Sequence, residues 1–211
     1  MTNKKVLLFL SIIISLFIIT FAIIKLKVHS DSNNIPTFYS HATYAYDLSS
    51  PEKAVGAVDY VFVGKVNSIK RTEYRDPVEI ETVADGSKVK VVSEPYTVYN
   101  MSVIKNIKGN LKEDVEIVQK GGIAKDEDSY ILFEETSLLE KGKYYIILAY
   151  AVSENGELQI NSKYTYVKID IDSEEEINDE EIVKKYIDAY KKQEVPSDKR
   201  DNFKSAFDIT M

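Results

Sequence analysis

Hydrophobic and polar positions divide the chain into stretches with different periods. The first, Val6–Ile24, is a run of nineteen residues without a charge (VLLFLSIIISLFIITFAII), with Lys4 and Lys5 before it and Lys25 and Lys27 after it. At about 1.5 Å of rise per residue, a helix of that length spans the roughly 30 Å hydrocarbon core of a bilayer. The run predicts one transmembrane helix from Val6 to Ile24, with the N-terminus inside and everything from about residue 28 outside. The flanking charges are nearly balanced, but a long folded domain translocates largely regardless of them. The alternative is a secreted protein cut near Ala22, at Thr20-Phe21-Ala22. Against it, the run exceeds the roughly 7–15 apolar residues usual for a signal peptide, and Ile23, Ile24 and Leu26 continue it past the cut.

Residues 28–48 are polar and then aromatic, without a helical period, and read as an extracytoplasmic tether leading into an extended segment. Ser49-Ser50-Pro51-Glu52 is a helix start: a hydroxyl cap, proline in the first turn and an acid close behind. Gly56 and the β-rich run that follows keep that helix short.

From Val58 to Ile171 the period becomes two. Val58–Ile69 is almost continuously apolar in its first half, which predicts a strand covered on both faces. In Tyr96–Ile107, Tyr99, Met101 and Val103 share one face and Asn100, Ser102 and Asn106 the other. Leu111–Val118, Lys143–Val152 and Glu157–Ile171 supply further strands, the last with Tyr164 and Tyr166 on one face. Turn residues separate them at Lys108-Gly109-Asn110, Gly121-Gly122, Lys141-Gly142 and Asn155-Gly156. In Val78–Val92 the pair Asp85-Gly86 suits a two-residue turn, which would set Thr82 opposite Val89, Ile80 opposite Val91 and Glu81 opposite Lys90 in a hairpin projecting from the core. Downstream, Asn178 as cap, acids in the first turn and a stripe of Ile182, Val183, Tyr186, Ile187 and Tyr190 predict an amphipathic helix packed on the β domain. Residues 194–211 read as a loose tail, with Phe203 and Phe207 suggesting one more contact. The predicted organisation is 1–27 as stub and span, 28–48 as tether, 49–172 as the β domain and 173–211 as helix and tail.

Charge changes the picture of what this domain can meet. All 34 acidic residues follow position 30, so the part after Lys27 holds 34 acids against 23 basic residues. Such a surface repels phosphate backbones, which makes nucleic acid an improbable partner. The chain has no cysteine. That excludes thiolate chemistry and a lipidated-cysteine anchor, leaving the bilayer contact through residues 6–24 as the attachment. The Lys-, Ile- and Asn-rich usage fits a low-GC Gram-positive bacterium.

Candidate chemistry is sparse. The only histidines, His29 and His41, lie in the tether, so a Ser-His-Asp triad would require His41 to fold back onto the core. The acidic run from Asp170 to Glu181 places oxygen ligands at alternate positions, as a calcium loop does, but Glu175 occupies the place of the sharp-turn glycine and no helix precedes it. Asp126-Glu127-Asp128 and Glu134-Glu135 read as charged loops. Asn100-Met101-Ser102 matches a glycosylation sequon but falls mid-strand. No catalytic, cofactor or metal residue is predicted. Fifteen tyrosines without a tryptophan, among them Tyr39, Tyr44, Tyr46, Tyr144, Tyr145 and Tyr150, belong mostly to a core, with a groove for some.

The order of a short helix, VDYVFVGKVNSI, a long strand ending in VIKNIKGN, then VEIVQKGG and LLEKGKYYIILAY resembles the netrin-like domain of the tissue inhibitors of metalloproteinases. It looks closer still to membrane-anchored or secreted Gram-positive proteins built on that plan. The likeness covers Ser50–Ile171 through Asp59-Tyr60-Val61-Phe62-Val63-Gly64, Lys108-Gly109 and Gly142-Lys143-Tyr144-Tyr145. It implies a mainly β, five-stranded or slightly larger OB-like antiparallel barrel. The inhibitors bind a protease zinc through a free N-terminal cysteine, which this chain lacks, so their mechanism does not transfer. The expected function is a non-enzymatic binding or interaction module at the cell surface, for an extracellular protein or envelope ligand. The alternatives are a carboxylate-dependent envelope hydrolase or its accessory, and a structural envelope protein.

Overall fold

The computed structural model describes residues 35–41, 45–82, 88–152 and 154–210, and for 80–82 and 88–90 the backbone alone. The predicted span Val6–Ile24, the cut near Ala22, His29, Tyr44 and the Asp85-Gly86 turn lie outside the described residues. Among those described, no helix is long and apolar enough to cross a membrane. The chain divides after Pro36 into two units, and all the elements below belong to the second, Thr37–Met211.

In chain order these are β1 (Thr37–Ser40), α1 (Pro51–Ala57), β2 (Tyr60–Thr82), β3 (Lys88–Lys108), β4 (Asp114–Lys120), β5 (Gly122–Ile123), β6 (Tyr130–Phe133), β7 (Tyr144–Ala151), β8 (Leu158–Ile160), β9 (Tyr166–Ile169), a 3₁₀ turn (Glu174–Asn178) and α2 (Glu181–Lys191). The protein is mainly β. One sheet runs β2-β3-β4-β8-β7-β9, and β2 also pairs with β7, so that β2, β3, β4, β8 and β7 form a closed hydrogen-bonded ring. Only β4 and β8 run parallel within it; the other pairs are antiparallel. A small second sheet, β1-β6-β5, has β1 parallel to β6.

The continuous apolar runs sit where two cores meet. On β2, Val61 and Val63 face one core and Tyr60, Phe62 and Val66 the other; on β7, Tyr144, Ile146 and Leu148 face the first and Tyr145, Ile147 and Ala149 the second. The first core lies between the sheet and the helices, taking in Ala54 and Val55 of α1 and Val183, Tyr186 and Ala189 of α2. The second holds Tyr99, Met101, Ile117, Leu139, Leu158 and Ile160. Burial on both faces is what the sequence of β2 and β7 requires.

At α1 the Ser50 hydroxyl accepts the Lys53 N–H at 3.3 Å and Pro51 opens the first turn, as the sequence predicts. Gly56 has no side chain for a reason of space: a Cβ there would lie 2.0 Å from the Glu194 carbonyl oxygen.

Several expectations are corrected. Thr82 pairs with Lys88, Ile80 with Lys90 and Glu81 with Val89, one residue away from the register that Asp85-Gly86 implies. Pairing runs outward from the ring through irregularities that end between Arg75 and Val78, where Asp76 has φ 52° and Pro77 has no N–H to offer. The described base of the hairpin therefore carries a register one residue from the one its turn residues imply. The segment Glu157–Ile171 is two strands, because Ser162 and Thr165 close a turn between them: the Ser162 N–H donates to Thr165 Oγ1 at 3.1 Å and that hydroxyl donates back to the Ser162 carbonyl at 2.6 Å. Asn178 does not cap α2. It ends the 3₁₀ turn, its Oδ1 accepts from Lys105 Nζ at 2.6 Å, and Glu180 stands at the N-cap instead. Residues 194–210 are no loose tail. They run back over the ring, with Leu111 bridged to Asp208 and Phe203 and Phe207 packed on the second core.

Candidate functional site

The tail and the segment before α1 build the walls of a cleft of about 640 Å³. Tyr46 and Leu48 form one side, Tyr150 and Ala151 at the end of β7 the floor, Lys120 and Phe133 at the ends of β4 and β6 another side, and Arg200 and Phe203 of the tail the last. His41, Gln159 and Asn161 complete its polar rim. Among the described residues, no aspartate or glutamate lines it, in a chain with 34 of them.

Each basic side chain on the cleft is held by a carboxylate that stays outside the lining. Lys120 pairs with Glu94 and lies 5.2 Å over the Phe133 ring. Burial works against its charge, and Glu94 and Tyr96 outweigh that, leaving its pKa raised. The His41 Nδ1 is 2.8 Å from Glu134 Oε1. The Arg200 guanidinium stacks 4.6 Å over Phe203 and donates from Nη2 to Asp59 Oδ2 at 2.7 Å and to the Ala151 carbonyl at 2.9 Å. The Arg200 N–H donates to the Tyr46 hydroxyl at 3.1 Å, which ties the two walls together. Burial, with Asp59 and Tyr46 nearby, pushes the Tyr150 phenol up to about 12, so it remains an O–H donor. Aromatic faces beside fixed cations and neutral donors make a surface for a ligand with both apolar area and negative charge.

Behind the cleft, Asp59 is the pivot. Its side chain is 1% exposed, and Oδ2 also accepts the Ala151 N–H at 2.9 Å. Lys199 Nζ lies 3.8 Å from Oδ1. An aspartate inside the run Val58–Gly64 was the available signal for a buried polar partner. Its partners, Lys199 and Arg200, are distant in sequence in a segment read as loose, and were missed.

The other candidates are scattered. His41 sits at the cleft mouth with a carboxylate as its partner, not a hydroxyl. Glu134 pairs with His41, and Glu135 with Lys163, both exposed. In the acidic run, Glu176 accepts from the Ser173 N–H, Glu175 from the Ser173 hydroxyl, and Glu181 faces Lys184. Among the described residues, no group of three His, Asp or Glu side chains is placed to hold a metal. The carboxylates whose pKa moves, including Glu73, Glu116 and Glu157, move down, toward the charged form. Of the tyrosines, Tyr144 and Tyr145 are core, Tyr46 and Tyr150 line the cleft, and Tyr39 is exposed.

No protein-family model matches the chain, and no curated protein sequence does.

Proposed function

We propose that the chain is a membrane-anchored cell-surface protein whose extracytoplasmic β domain, an OB-like barrel, is a non-enzymatic binding module with the aromatic and basic cleft as its ligand site. The observation that carries this is the lining itself: among the described residues, four aromatic rings and three cationic or ionisable nitrogen side chains, without a carboxylate, on a strongly acidic chain. The ligand class this fits has an aromatic or aliphatic body and an anionic group. The five-strand ring, closed by β2–β7 and with a parallel pair only at β4–β8, supports the OB-like reading and with it the netrin-like resemblance. The apolar run Val6–Ile24 supports the anchor and the location outside the membrane. A carboxylate hydrolase would need two convergent acids in a cleft; Glu134 and Glu135 instead form separate exposed ion pairs.

The test uses the full-length chain in neutral detergent, offered an envelope extract and defined libraries of acidic peptides and acidic oligosaccharides. Asn161→Trp fills the cleft from an exposed rim position. Binding by the wild type and its loss in Asn161→Trp is the expected result. Binding that the filled cleft leaves unchanged would overturn the assignment of the site, and no binding would overturn the module.

A further inference from the structure

On the far side of Arg200 a second cleft, of about 460 Å³, opens between the end of α2 and the tail. Its floor is cationic. Lys108 Nζ donates to the Val55 and Val58 carbonyls at 2.7 and 2.8 Å, and Lys199 Nζ donates to the same Val58 carbonyl at 3.0 Å. Two ammonium groups thus share one oxygen, with the Arg200 guanidinium beside them. Lys199 has a side chain only 6% exposed. Among the described residues, one buried carboxylate faces these three cations: Asp59, just before β2, whose bonded oxygen is already taken by Arg200 and the Ala151 N–H. From the rim come the exposed Asp201 and the phenol of Tyr190.

Capping the end of α1 explains the two carbonyl contacts, but carbonyl dipoles do not neutralise charge. Burying an ammonium is unfavourable unless a counter-charge accompanies it. The cluster shows that strain: burial and the neighbouring Lys199 hold the Lys108 amine down at about 8, and Lys199 is lowered as well. The cleft also holds the Gln193 amide, whose buried Oε1 has no hydrogen-bond partner among the described residues, and the exposed Asn202.

We propose that the cleft floored by Lys108, Lys199 and Arg200 is a binding site for a phosphate-type tetrahedral oxyanion, free or as the headgroup of a lipid. Such an anion presents several oxygens to donors arriving from different elements and, as hydrogen phosphate or a protonated ester, supplies the O–H that Gln193 Oε1 lacks. The site is separate from the aromatic cleft and shares only Arg200 with it, so its test is independent of the ligand of that cleft.

The experiment is isothermal titration of the full-length chain in neutral detergent at low salt, once with inorganic phosphate and once with short-chain phosphatidylglycerol. Saturable one-site binding of phosphate assigns the free anion; binding of the lipid alone assigns the same site to a headgroup. Lys199→Met should abolish it. Asn202→Asp, which adds a charge at an exposed rim position and leaves the floor intact, should weaken it at least tenfold with an unchanged thermal midpoint. Failure of the folded wild type to bind either probe, or full-strength binding by Asn202→Asp, would overturn the site.

Discussion

Replacing Arg200 by methionine isolates the worth of the contact that closes the tail onto the β domain. The substitution keeps the length and apolar stem of the side chain but removes the charged partner of Asp59, whose side chain is 1% exposed. Stripping one member from a fully buried ion pair costs about 3–5 kcal/mol, because the remaining charge has neither water nor partner. Two features reduce that here. Arg200 is itself 34% exposed, and Asp59 keeps the Ala151 N–H at 2.9 Å with Lys199 at 3.8 Å. We therefore expect a loss of about 2 kcal/mol, which for a chain of this size lowers the thermal midpoint by about 4–8 °C. Tyrosine fluorescence follows the unfolding cleanly, since the chain has fifteen tyrosines and no tryptophan. The double variant Asp59→Asn with Arg200→Met removes the stranded carboxylate and keeps an acceptor for Ala151, so it should recover part of the loss, with Lys199 left to the Val58 carbonyl. A loss below about 0.5 kcal/mol in Arg200→Met, or a double variant less stable than the single one, would refute the reasoning.

Lys108, with its folded pKa held at about 8 against 10.5, is less protonated in the folded chain, so stability should rise from about pH 8 towards 10. Above about 10 the trend reverses, because Tyr60 and Tyr150 have folded pKa values of about 12 and the unfolded phenols ionise first. Urea unfolding across that range checks both limbs; Lys108→Met should flatten the first, and an unaltered rise would show that Lys108 is not its source. Gly56→Ala gains helix propensity but places a methyl against the Glu194 carbonyl, so it should lose about 1–3 kcal/mol and expose Lys199 and Arg200 to trypsin. A more stable Gly56→Ala protein would contradict the close approach. Arg75 holds Glu157 bidentately at 2.8 and 2.7 Å and also contacts Glu73, so both carboxylates stay charged below their usual range despite partial burial. That stability is present above about pH 4.5 and is lost on acidification; Arg75→Gln should cost about 1–2 kcal/mol at pH 7 and shrink the acid transition, as read by circular dichroism.

The elements with strong periodicity were legible: the doubly buried runs of β2 and β7, the alternation of Tyr99 and Met101 against Asn100 and Ser102, the Ser50 cap and most of the stripe of α2, in which Ala189 is buried while Tyr190 is exposed. Their signals are local. What escaped was decided by distant partners. The hairpin register lies one residue from the one its turn residues imply, with irregularities between it and the ring. The β1–β6 pairing is four residues long and parallel, with no turn to announce it. Asn178 looks like a cap until Lys105, far away in sequence, engages its side chain. The candidate site was the least legible, because Tyr46, Lys120, Tyr150 and Arg200 come from separate segments and only the ring and tail bring them together. Asp59 was visible as an anomaly; its partners were not.

The returning tail also governs when this protein can fold. Tyr60, at the start of the first ring strand, donates to Asp208 at 2.6 Å and accepts the Ser205 N–H at 2.9 Å, and the Ile209 N–H reaches the Asn110 carbonyl at 2.9 Å. Contacts between the beginning and the end of the domain cannot form on a partly synthesised chain. The flank of the second core that Phe203 and Phe207 cover therefore closes only once residues near 208 are present. An early stop beyond α2 would leave that flank of the core uncovered.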